Sequence, residues 1–132
     1  MKTIQRLAAT AIVLLSPGLA LAEARTSIVA SDFGVFDDAK GTFTPTRTVL
    51  RAGKPEYGWM MLLDTPKRQV RYREELSGPD GVAPIVRERT VTPDDGVILN
   101  VWSADKHHPA GRYVVRVLIE DQVEKTFVFV IQ

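Results

Sequence analysis

Cysteine is absent from this 132-residue chain. Its absence excludes disulfides, thiol catalysis, thiolate metal sites and a lipid-bearing cysteine near the N-terminus. An excess of one charge is also missing, with 17 Lys and Arg against 16 Asp and Glu. Such a balance gives no reason to expect nucleic acid or an anionic membrane as the main partner. After residue 22 no apolar run approaches the roughly 20 residues needed to span a bilayer. No stretch beyond that point sustains a 3.6-residue apolar period, so helices are expected to be short or absent. The motifs of common hydrolases and nucleotide-binding loops are lacking too: no Gly-x-Ser-x-Gly, no His-Glu-x-x-His, no Gly-rich phosphate loop. Glu74 and Glu75 are adjacent on an expected strand and so project to opposite faces, which makes them a poor acid/base pair. A non-enzymatic chain is the expectation.

What is present begins at the N-terminus. Lys2 and Arg6 precede the uncharged run Leu7 to Leu15, Ser16-Pro17-Gly18 breaks any helix, and Ala20-Leu21-Ala22 has the small-x-small form cut by signal peptidase. The expectation is a cleaved signal peptide, residues 1–22, and a periplasmic product beginning at Glu23. Because Lys2 and Arg6 leave with that segment, the formal net charge falls from +1 to −1. Residues 23–132 are then enough for one domain and one core, held by packing alone.

Short segments rich in β-branched and aromatic residues recur through that domain, separated by Gly, Pro and Asp clusters, as in a sandwich or barrel. Strands are expected near Thr26–Phe36, Arg47–Arg51, Tyr57–Leu63, Gln69–Leu76, Ile85–Val91, Val97–Ser103, Arg112–Glu120 and Val123–Ile131. Tyr113, Val115, Val117 and Ile119 share one face of their strand, and Phe127, Phe129 and Ile131 share one face of the last. Bringing both rows to one side needs an odd number of turn residues, so a three-residue or bulged turn is expected around Asp121-Gln122-Val123. Val114, Leu118, Val128 and Val130 make the reverse faces partly apolar, which implies cover on both sides or a partner. Tyr57–Leu63 is apolar on both faces and reads as a central strand.

Trp102, Pro109-Ala110-Gly111-Arg112-Tyr113, a hairpin and a closing Phe-x-Phe strand resemble the last strands of bacterial immunoglobulin-like domains. The resemblance implies an antiparallel β-sandwich of seven or eight strands, with Tyr113 anchoring a corner by a hydrogen bond. More narrowly, Phe33-Gly34-Val35-Phe36, Tyr57-Gly58-Trp59 and Gly111-x-Tyr113 after a signal peptide resemble a family of short exported proteobacterial proteins of uncharacterised function. That likeness implies a fold and an address, not an activity.

Two places hold candidate binding chemistry. Arg71, Arg73, Arg87 and Arg89 alternate on two neighbouring strands and, if those strands pair, could form a stripe gripping a carboxylate, phosphate or acidic glycan. The interleaved Glu74, Glu75 and Glu88 favour a solvated, salt-bridged face instead. Asp105, His107 and His108 gather both histidines in one loop and could bind Zn, Cu or Ni, although Lys106 opposes a cation there. Met60 and Met61 point to opposite faces and so do not share an ion, and Asp37, Asp38, Asp80, Asp94 and Asp95 fit turns better than a calcium loop. No cofactor is called for. The expected role is a periplasmic binding or protein-interaction module using edge-strand addition, with a periplasmic protein as partner. A small-ligand or metal-binding protein using His107 and His108 is the alternative.

Overall fold

In a computed structural model, residues 25–103 and 108–132 are described. The expected signal peptide and Asp105 to His107 lie outside those residues. Nine strands follow in order: β1 Ser27–Asp37, β2 Thr42–Pro45, β3 Thr48–Val49, β4 Glu56–Asp64, β5 Val70–Ser77, β6 Ile85–Val91, β7 Val97–Ser103, β8 Gly111–Ile119 and β9 Val123–Ile131. They form a four-stranded sheet, β2-β1-β4-β7, packed on a five-stranded sheet, β3-β9-β8-β5-β6. Among the described residues no helix is long and apolar enough to cross a membrane.

Every expected strand is present, with two differences. β2 is an addition: Thr42, Phe43 and Thr44 have strand chemistry, but Gly41 (φ 62°) and Pro45 confine them to four residues. The expected strand Arg47–Arg51 shrinks to Thr48–Val49 and continues as a 3₁₀ turn over Arg51–Gly53. This short strand carries the chain from one sheet to the other, and it runs parallel to β9 with Val49 beside Ile131. The sandwich is therefore antiparallel except at that one pair.

Alternation positions the core. From one sheet come Phe33, Tyr57, Trp59 and Met61; from the other come Val70, Tyr72, Tyr113, Val115, Val117, Ile119, Phe127, Phe129 and Ile131, all buried. Full burial of side chains this size stabilises by about 1.5–3 kcal/mol each. Phe33 stacks on Phe129 at 4.2 Å between ring centroids, and Tyr113 stacks on Phe129 from the other side at 5.3 Å. The Tyr113 hydroxyl donates to the Pro109 carbonyl at 2.7 Å, which is the corner anchor that the Gly111-x-Tyr113 motif implied.

The β8–β9 connection has three residues, Glu120, Asp121 and Gln122, because Ile119 pairs with Val123. Gln122 N–H donates to the Ile119 carbonyl at 3.0 Å, and Glu120 and Asp121 both have positive φ, as in the primed turns that match strand twist. β4 is central, between β1 and β7. Its reverse face is not closed over: Met60 is half-buried and Leu62 exposed, as are Val128 and Leu99 on their own outer faces.

Candidate functional site

The four arginines split. β5 and β6 do pair, but the register sets Arg71 against Thr90 and Arg73 against Glu88, while Arg87 meets Glu74 and Arg89 meets Tyr72. Arg71 and Arg73 therefore face outward and Arg87 and Arg89 face the interior side of the sheet, so no four-membered stripe forms. The outer pair is absorbed by ion pairing. Arg71 pairs with Asp121, Arg73 with Glu75 at 3.2 Å, and the neighbouring Arg116 with both Glu75 and Glu124. Exposed pairs of this kind contribute little to stability and keep the face soluble.

The inner pair stands beside Glu74, which the sequence reading placed with Glu75 and Glu88 on a solvated, salt-bridged face and the structure instead buries. Glu74 is 2% exposed, the one buried charged side chain among the described residues. Trp59 Nε1 donates to its Oε2 at 3.0 Å, and Asn100 Nδ2 donates to the same oxygen. Burial pushes the Glu74 carboxyl above its usual range, opposed by those two hydrogen bonds and by the Arg87 and Arg89 charges. Tyr72 is raised likewise, by burial first and by the Glu74 charge second. The alternation Val70-x-Tyr72-x-Glu74-x-Leu76 was the available signal, since it puts Glu74 on the inner face.

Glu74 accepts from Trp59 of β4 and from Asn100 of β7, so β5 lies beneath these two strands. With strands about 4.8 Å apart and sheets about 10 Å apart, the next position beyond β7 lies over β6. Among the described residues that position holds no strand, because β7 ends its sheet. As a result Arg87 and Arg89 are exposed and Ile85 and Val91 only half-buried, although all four face inward. A groove of about 650 Å³ opens at the Val91 end of this edge, lined by Val91, Asp94, Asp95, Val97, Ile98 and Leu99.

The four sheet edges differ in how they are guarded. β2 is short and ends in Pro45, β3 has two residues, and β6 carries Arg87, Glu88 and Arg89. These are the devices that discourage edge pairing. β7 reads Val-Ile-Leu-Asn-Val-Trp-Ser over seven residues, with neither charge nor proline.

Of the metal candidate, His108 is described. Its Nδ1 is hydrogen-bonded to the Tyr57 hydroxyl at 2.6 Å, and its ring lies edge-on to Tyr57 and Tyr113. Among the described residues no three His, Asp or Glu side chains converge on a common point.

A family model described as a PM0630 beta sandwich domain matches residues 83–132, the segment from β6 to β9. Among solved structures, the chain is similar to an immunoglobulin-like protein (PA1606) from Pseudomonas aeruginosa. The TM-score is 0.61 at 17% identity, over 84% of this chain and 99% of that one. The fold is immunoglobulin-like. No curated protein matches the chain. An immunoglobulin-like sandwich fixes where strands and edges lie and leaves the function to be argued from its surfaces.

Proposed function

We propose that this protein is exported to the periplasm and acts there as a non-enzymatic protein-interaction module, holding an extended segment of a protein partner as an added strand along β7. The observation that carries this reading is the contrast between edges: three are guarded and β7 is not. Strand addition draws its affinity from backbone hydrogen bonds, and side-chain positions beside the edge supply specificity. The groove beside Val97 and Leu99 offers such positions. A binding role without catalysis is in keeping with Glu74, whose acceptor oxygen is held by Trp59 and Asn100 beneath the surface. Export is supported by the charged, apolar and small-residue order of residues 1–22.

The test is affinity capture of the tagged protein from its own periplasm after brief crosslinking, run beside a Leu99→Lys/Val101→Lys variant. Both substitutions fall on the outward side of β7 and leave the buried core untouched. A partner recovered near stoichiometrically with the wild type and lost with the variant supports the reading. A partner held equally by both overturns the β7 edge as its seat. Sequencing the N-terminus of the periplasmic protein checks export, with Glu23 expected first.

A further inference from the structure

The chemistry of the accepted segment is written in the residues it would cover. A strand added to β7 lies over β6, so its inward side chains meet the inward side chains of β6. In order these are Ile85, Arg87, Arg89 and Val91: apolar, cationic, cationic, apolar. Among the described residues neither Arg87 nor Arg89 takes part in an ion pair, whereas Arg71, Arg73 and Arg116 on the opposite face all do. The Glu74 carboxylate beside them feels both charges, and its Oε2 accepts from Trp59 and Asn100. Two guanidinium groups are thus held inward at the vacant strand position without a direct ion pair among the described residues, Arg89 hydrogen-bonded to the Tyr72 side chain and both beside the Glu74 carboxylate.

Resting on the strand-addition reading, we infer that the partner segment carries two acidic side chains two residues apart between apolar ones, in the order apolar-x-acidic-x-acidic-x-apolar. Carboxylates at the middle positions pair with Arg87 and Arg89 in the fork geometry that guanidinium favours. The apolar ends cover Ile85 and Val91. Asp94 and Asp95 stand at the Val91 end of the groove and repel a further acid there, which confines the acidic pair to the middle. Glu88 lies on the outer face of β6, paired in register with Arg73, and does not enter the seam. The same two arginines disfavour a purely apolar strand, since ordering it would bury two guanidinium groups against the single carboxylate of Glu74. Attraction of one partner and rejection of others come from one pair of residues.

The probe is a fluorescent peptide, Thr-Val-Thr-Glu-Thr-Glu-Thr-Val-Thr, with its Gln and Lys counterparts at the two Glu positions, titrated against the purified protein. The glutamate peptide is expected to bind at least about tenfold tighter than either counterpart, and less tightly as salt rises. Arg87→Glu/Arg89→Glu is expected to invert the order so that the lysine peptide binds best. Arg87→Gln/Arg89→Gln, which puts no new charge beside Glu74, is expected to level all three. Arg71→Gln/Arg73→Gln on the outer face is expected to leave the preference unchanged. If all three peptides bind alike and Leu99→Lys/Val101→Lys abolishes them, strand addition stands and the acidic pattern is overturned. If no peptide binds, both are overturned.

Discussion

Glu74 is the residue whose protonation the fold feels most directly. Its folded-state value is raised, chiefly by desolvation. Below the ordinary carboxylate range both folded and unfolded chains hold the proton, and Glu74 then contributes its full stability. As pH rises the unfolded chain releases the proton first, so that contribution declines until the pH has passed the folded-state value. Glu74→Gln keeps an acceptor for Trp59 and Asn100, so urea denaturation at pH 5 and pH 8 is expected to show a flatter pH dependence and a gain on the order of 1 kcal/mol at pH 8. Glu74→Leu strands both donors and is expected to cost roughly 1–3 kcal/mol for each. Glu120 moves the other way. The Arg71 backbone N–H, joined by the Lys67 ammonium, lowers its carboxyl, so its stabilisation is present above the ordinary carboxylate range and fades as pH falls through the folded value. Tyr57→Phe removes the hydroxyl from His108 Nδ1 without emptying the core and is expected to lower stability by about 1 kcal/mol, read from the same denaturation curves.

At the scale of elements, two glycines explain motifs that the sequence displayed without a reason. A Cβ on Gly58 would stand 1.9 Å from the Asn100 carbonyl oxygen, and one on Gly34 would stand 2.1 Å from that of Thr44. Each glycine lets a neighbouring strand approach β4 or β1 closely. Gly58→Ala is expected to cost about 1–3 kcal/mol by forcing β4 and β7 apart, measurable as a drop in Tm, and it loosens the strand that Asn100 rides on. Strand positions and inner faces were legible wherever apolar residues alternate, as in Tyr113 to Ile119 and Phe127 to Ile131, because only one register buries them. The turn length between β8 and β9 followed from the same parity. β6 offered no such lever. Its sequence Ile-Val-Arg-Glu-Arg-Thr-Val is apolar only at the ends and polar on both faces, so burial does not choose its register and the fate of Arg87 and Arg89 was hidden. Glu74 was hidden for the opposite reason: its charge masked an inward position in an otherwise regular alternation.

For the whole molecule, as far as the described residues go, a four-stranded sheet over a five-stranded one leaves one strand position vacant. Neighbouring strands in each sheet are mostly distant in sequence, as β1 with β4 and β5 with β8, so loops must close before contacts form. Refolding is therefore expected in milliseconds to seconds, not microseconds, as followed by stopped-flow fluorescence of the buried Trp59. The lineage of such a protein inherits a further consequence from the β5–β6 pairing. A slip of β6 by one residue, through a single insertion in the loop before it, would turn Arg87 and Arg89 outward and bring Val86, Glu88 and Thr90 inward. The seam would change from cationic to anionic in one genetic event.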